Sequence, residues 1–232
     1  MDLKFARELT SLCLERNDRA LDYLARVRRI KDLPDSVTTK IGQVGSLTLA
    51  ELWEKDRSRR KLYFFKPIPP TMFIAFVTEN CAGDPMGVVL RAIDNPEIRY
   101  VTLFSAAAKI TFSNFLLADI TLRIWERRTA IFVEGIIDQL SLMQVTDTPV
   151  LSFLTMGASD MCRRFLRRFC STVDWFPDRD VSADKRAKIR QKIGLPGRDL
   201  DWIRLGSKGK DVNDLLISDP GGLRYVIKTA LS

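Results

Sequence analysis

The stretch from Met72 to about Glu126 constrains the fold most. "TMFIAFVTEN", "MGVVLRAIDN", "YVTLFSA", "AKITFSNF" and "ADITLRIWE" are short runs rich in Val, Ile, Thr and Phe. Turn-forming clusters such as "CAGDP" and "NPEI" separate them. β-branched and aromatic runs bounded by Gly, Pro, Asn and Asp read as strands, and their regular spacing predicts an antiparallel sheet folded into a sandwich or partial barrel, with buried helices as the alternative for short apolar runs that periodicity does not separate. "RTAIFVEGIIDQLSLMQV" adds one more strand and a short connector. The core expected from this pattern is Phe73, Ile74, Phe76, Val88, Leu90, Ile93, Val101, Leu103, Ile110, Phe112, Ile120, Leu122, Ile124, Ile131 and Val133.

The flanks read differently. From Asp2 to about Lys31, Leu9, Cys13, Ala20, Leu24 and Val27 recur at helical spacing, and Pro34 follows as a stop. Ile41 to Trp53 fits a strand or a helix equally. After Pro149 the pattern turns helical: Met161, Phe165 and Phe169 share one face of a helix. "SADKRAKIRQKIG" opens on Ser182 as a cap and stops at Gly194 and Pro196. The fold class expected is α+β, with an N-terminal helical arm over 1–34, a β-rich sandwich-like core over 35–155 and a basic helical region over 156–232. The absence of a long apolar run and the charged start predict neither a membrane span nor a secretory signal, hence a cytoplasmic protein.

Charge is concentrated in the last third. The formal net charge is +8, and the segment from Met161 to Lys210, with fourteen basic and six acidic residues, accounts for all of it. Within "MCRRFLRRFC", Arg163, Arg164, Arg167 and Arg168 stand in like-charge i, i+4 pairs, each costing about 0.2–0.5 kcal/mol in an isolated helix. Burying one Phe is worth about 1.5–3 kcal/mol, so the helix forms regardless and a polyanion would relieve the repulsion. Guanidinium forks suit phosphate oxygens. Lys185, Arg186, Lys188, Arg190 and Lys192 extend the basic surface, and Lys208 and Lys210 lie among glycines in "GSKGKD". Trp175, Phe176 and Trp202 are candidates for base stacking. Single-stranded RNA or another polyanion is the expected partner, with an anionic membrane surface as the alternative and self-assembly into a homo-oligomer.

Signals for chemistry are sparse. Histidine is absent, which removes the commonest general base and most zinc sites. The four cysteines lack C-x-x-C spacing and read as free thiols; no metal or cofactor is expected. The acids Asp84, Asp94, Asp119, Asp138 and Asp147 are scattered, so a carboxylate-only metal nuclease is a second alternative to a non-enzymatic protein.

"FIAFVTENCAGDPMGVVLRAIDN" followed by "LFSAAAKITFSNF" resembles the core of plant-virus movement proteins of the 30K superfamily, with Gly87 and Asp94 as the matching residues and Asn114 at the turn. The likeness spans Ile41 to Thr155. It implies a jelly-roll-like fold and a viral protein that binds single-stranded nucleic acid and acts in cell-to-cell movement. A matrix or nucleocapsid protein of a negative-strand RNA virus accounts for the size and charge comparably. The reading overall is a non-enzymatic viral RNA-binding protein that neutralises phosphate with little sequence choice.

Overall fold

The computed structural model describes residues 2–55, 60–95, 97–98, 100–105, 111–153, 160–200 and 209–231. The chain is α+β and divides into two units. One comprises Met1–Val27 and Asp32–Leu116; the other comprises Arg28–Lys31 and Leu117–Ser232. The second unit begins with Leu117 apart from Arg28–Lys31.

In the first unit, β1 (Ile41–Gly45), β2 (Met72–Glu79), β3 (Pro85–Ala92) and β4 (Val101–Phe104) form an antiparallel sheet in the order of the chain, and β5 (Asn114–Phe115) pairs with β2. Helix α1 (Leu3–Leu14) packs on this sheet through Phe5, Leu9 and Cys13, against Phe73, Ala75, Val88 and Leu90. Asp2 caps α1 by accepting the Phe5 N–H at 2.7 Å. The expected single N-terminal helix is broken between Leu14 and α2 (Asp18–Arg26). Gln43 explains the break: its Oε1 on β1 accepts the N–H groups of Arg19 and Ala20 at 2.8 and 3.2 Å, capping α2 from outside its own helix. Next to it, a Cβ on Gly42 would fall 2.0 Å from the Cys13 carbonyl oxygen, so only glycine permits this approach of strand to helix. The ambiguous stretch from Ile41 resolves into both readings, β1 followed by α3's successor α4 (Ser46–Lys55), with α3 being the short turn Asp35–Thr38.

The second unit departs from the sandwich expected. "ADITLRIWE" lies in helix α5 (Leu117–Arg127), not a strand: Leu117, Ile120 and Ile124 are buried at helical spacing, while Leu122 is 70% exposed. Strands β6 (Thr129–Val133), β7 (Val150–Ser152) and β8 (Thr172–Trp175) are all parallel, in the order β7-β6-β8. Helix α6 (Ile136–Met143) joins β6 to β7, and α7 (Asp160–Phe169) joins β7 to β8. Their apolar runs are short and unalternated because strands of a parallel sheet are buried on both faces, a pattern that periodicity cannot separate from a buried helix. Helices α8 (Ala183–Ile193), α9 (Val212–Ser218) and α10 (Pro220–Leu231) complete the unit. Ser182 and Gly194 bound α8 as the sequence predicts, Gly194 in the left-handed region at φ 63°.

Of the expected core, Phe73, Ile74, Phe76, Val88, Leu90, Leu103, Phe112, Ile120, Ile124, Ile131 and Val133 are buried; Ile93 and Val101 are half-buried, and Ile110 lies outside the described residues. Cys13, Cys162 and Cys170 are buried and Cys81 is exposed. Among the described residues no helix is long and apolar enough to cross a membrane.

Candidate active site at the carboxyl edge of the parallel sheet

Sheet topology locates the site before any side chain is considered. The crossover from β6 runs to β7 on one side, whereas β8 continues to the other side, where Trp175 bridges to Asp199 in parallel register. Parallel crossovers are right-handed, so the direction in which strands are added to the sheet reverses between β6 and β8. Ligands of open α/β sheets bind outside the carboxyl ends of strands at such a reversal.

Acids converge there. Glu134 follows β6 directly, and Asp138 sits one turn into α6. Asp178 and Asp180 follow β8, and Asp211 caps α9, its Oδ1 accepting the Asp214 N–H at 2.8 Å. The Arg179 N–H donates to the Lys210 carbonyl oxygen at 2.9 Å, tying the two loops together. The Lys210 ammonium meets Asp180 at 3.0 Å. Asn213 secures the floor: its backbone N–H donates to Asp138 at 3.2 Å, and its amide donates to the Arg28 carbonyl and the Ser141 hydroxyl, both at 2.9 Å.

Electrostatics show that these groups act on one another. Burial pushes the Asp178 carboxyl up to about 7, and the negative charges of Glu134, Asp211 and Asp180 push the same way, against Lys210. Asp138 is held well above the ordinary carboxylate range by burial, then by Asp211 and Asp178. Asp180 is held below that range chiefly by its hydrogen bond to Lys210. Glu134 Oε1 and Asp178 Oδ1 are buried without a hydrogen-bond partner among the described residues. Buried acceptors normally have one, so two orphans in one crevice need an explanation.

The basic residues picked out by sequence scatter into different roles. Arg190 is a scaffold residue: its Nε meets Asp199 at 2.5 Å and its Nη1 donates to the Val173 carbonyl at 2.6 Å, with a further bond to the Arg198 carbonyl. Arg186 donates to the Val181 carbonyl at 2.9 Å. Arg163 pairs with Asp160 at 3.1 Å, and Arg167 packs against Gly194 at the end of α8. Arg164, Arg168, Lys185, Lys188 and Lys192 are exposed. The buried face of α7 is Cys162, Phe165 and Leu166, turned from the expected Met161–Phe165–Phe169 line. Trp175 and Phe176 are fully buried in and after β8, which leaves neither ring a face for a base. Trp202 and Lys208 lie outside the described residues. Sequence reading noticed Asp138 but passed over Glu134, Asp178, Asp180 and Asp211. The available signal was an acid placed directly after each of two apolar strands, in "TAIFVEG" and "TVDWFPDRD".

The geometry is a group of acids at the carboxyl ends of a parallel sheet, where the strand order reverses. Over nearly its whole length the chain is similar to catalytic cores of bacterial DnaG-type primases. It matches the zinc-binding and RNA polymerase domains of the Aquifex aeolicus primase with a TM-score of 0.69 and 18% identity, covering 98% of this chain and 60% of that one. The E. coli primase catalytic core gives 0.71 and 14%, covering 98% and 80%. The RNA polymerase domain of Mycobacterium tuberculosis DnaG, in complex with double-stranded DNA, gives 0.65 and 17%, covering 97% and 78%. The chain thus spans less than two thirds of the Aquifex protein. No family model matches it, and no curated protein matches its sequence.

These likenesses overturn the non-enzymatic viral reading. The similar structures are catalytic domains, and a parallel β7-β6-β8 sheet is foreign to the jelly roll that the 30K resemblance implied. The matrix and nucleocapsid alternatives fall on the same finding.

The acids after β6 and β8 have the chemistry to meet a divalent cation. Carboxylate oxygens are the hard donors that Mg²⁺ and Mn²⁺ prefer, and the orphaned oxygens of Glu134 and Asp178 are acceptors awaiting a partner. Among the described residues no three acids are gathered tightly enough to ligate one ion in this conformation. Burial and then the neighbouring negative charges raise the Asp178 carboxyl, and a cation would offset both.

Proposed function

We propose that this chain is the catalytic core of a primase-type nucleotidyltransferase that joins ribonucleotides into short RNA on a DNA template. The observation that carries this is the pair of partnerless buried oxygens on Glu134 and Asp178, at the reversal point of a sheet whose fold is shared with primase cores. In the reaction a 3′-hydroxyl attacks the α-phosphorus of a nucleoside triphosphate and pyrophosphate leaves.

Glu134 and Asp178 are the residues that would hold a divalent cation, with Asp180 and Asp211 at the rim. When bound, the ion neutralises phosphate charge and lowers the barrier to in-line displacement. Asp178 surrenders its proton on loading, since only the carboxylate is a ligand. Asp138 is held above the ordinary carboxylate range, by burial first, and its Oδ1 accepts the Asn213 N–H and so fixes the start of α9. Lys210 holds Asp180 oriented and offsets its charge.

The test is primer synthesis on single-stranded DNA with ribonucleoside triphosphates and Mg²⁺ or Mn²⁺. Wild type makes short RNA; Glu134→Gln and Asp178→Asn do not. Absence of product under every template and metal condition would remove the proposal.

A further inference from the structure

A second surface of the same unit has chemistry of its own. Trp125, near the end of α5, is 61% exposed, and Leu122 on the same stripe is 70% exposed. The Trp125 ring stands edge-on to Phe169 at the end of α7, with centroids 6.3 Å apart. The guanidinium of Arg128 lies 5.8 Å from the Trp125 centroid, and that of Arg168 lies 5.7 Å from the Phe169 centroid. Arg128 holds the left-handed conformation at φ 58°, a position that helix ends usually give to glycine. Arginine is kept there although its backbone is disfavoured, and its side chain reaches the ring.

Both Arg128 and Phe169 adjoin the starts of β6 and β8, so this surface lies at the amino edge of the parallel sheet, opposite the carboxylates. It owes nothing to the acidic crevice. Arg164 sits one turn before Arg168 on α7, a spacing at which two guanidiniums serve neighbouring phosphates. Glu126 is the exposed acid beside Trp125, and the arginines outnumber it.

We propose that Trp125, Phe169, Arg128, Arg164 and Arg168 form a platform that binds single-stranded nucleic acid away from the carboxylate site. An exposed indole edged by guanidiniums suits an unstacked base with phosphates alongside it. A duplex offers no free base face to such a ring. Charge complementarity selects an anion, and the flat aromatic surface selects the single strand among anions.

The test is fluorescence anisotropy of a labelled oligo-dT of about 20 nucleotides, titrated with the whole chain in EDTA so that the carboxylate site takes no part. Trp125→Ala should weaken binding about 5- to 150-fold, the range found for loss of one stacked base. Trp125→Phe, which keeps a ring, should retain most of it. Arg164→Ala with Arg168→Ala should lower the slope of log K against log salt by about 1.4. Unchanged affinity in Trp125→Ala together with an unchanged slope in the double variant overturns the platform. So does an outcome in which poly-glutamate, and not oligo-dT, depends on Trp125, because the surface would then belong to an acidic protein. Primer synthesis is scored separately. Product from wild type with Trp125-independent binding removes the platform alone; Trp125-dependent binding without product removes the proposed catalytic function alone.

Discussion

Glu134 and Asp178 follow the neighbouring parallel strands β6 and β8, each with one buried carboxylate oxygen that no group among the described residues satisfies, and burial and then the charge of Glu134 push the Asp178 carboxyl up to about 7. Buried acids set near one another are costly to a fold. They are understandable where a cation is meant to sit.

The first consequence is a pH dependence. The Asp178 carboxyl rises from the ordinary value near 3.8 to about 7 on folding, so the folded state binds the proton more tightly than the unfolded state. Its contribution to stability is therefore most favourable below the unfolded value and is lost as pH rises from about 4 to about 7. Thermal melts in EDTA should show Asp178→Asn gaining on wild type at pH 8 and losing that gain at pH 4. A variant with the same relative stability at both pH values would contradict this.

Divalent cations should act in the opposite sense. Mn²⁺ or Mg²⁺ binding only the folded state raises Tm by mass action, by about 2.7 kcal/mol of stability at a hundredfold excess over Kd. The rise should be larger at pH 8 than at pH 5, because protons compete for Asp178. Glu134→Gln and Asp178→Asn should each lose most of it. Differential scanning fluorimetry checks both points.

The basic residues should separate by role. Arg190 is mostly buried, bonded to Asp199 and to two carbonyls, so Arg190→Ala should destabilise the protein by about 3–5 kcal/mol. Arg164 is exposed, and Arg164→Ala should change stability by less than about 0.5 kcal/mol. Urea denaturation distinguishes them directly.

Much of the first unit was legible because its strands announce themselves. β2 and β3 carry β-branched and aromatic runs on either side of a Gly-Asp-Pro turn, and their antiparallel pairing follows. In the second unit β6 and the helical stretches of α7 and α8 were legible, but the parallel sheet was not, for a reason visible in β6, β7 and β8. Each is five residues or fewer and buried on both faces, so no alternation marks it and the intervening helices pass as connectors. The site suffered most. Glu134, Asp178 and Asp211 are far apart in the chain, and an acid after a strand looks like any turn residue until the parallel order sets it beside another. The arginine run was easy to see, yet only the contacts of Asp160, Gly194 and Phe169 show that Arg163, Arg167 and Arg168 have separate tasks. Trp175 and Phe176 were misplaced for a related reason: aromatic residues among charges suggest a surface, and only the parallel pairing of β8 buries them.

Packing makes one further demand. A methyl group on Gly42 would collide with the Cys13 carbonyl, backbone against backbone, with no flexible side chain to yield. Gly42→Ala should cost at least about 1–3 kcal/mol, the usual penalty of overpacking, by parting α1 from β1. Chemical denaturation gives the number.

The most direct measurement is template-dependent incorporation of labelled ribonucleotides by wild type and by Glu134→Gln, each loaded with Mn²⁺ and each verified as folded by its melt in EDTA. Short RNA from wild type, and at least about a hundredfold less from Glu134→Gln, is the result expected of an acidic site that catalyses nucleotidyl transfer. Equal product from the two proteins, or none from the wild type on any template, would contradict it.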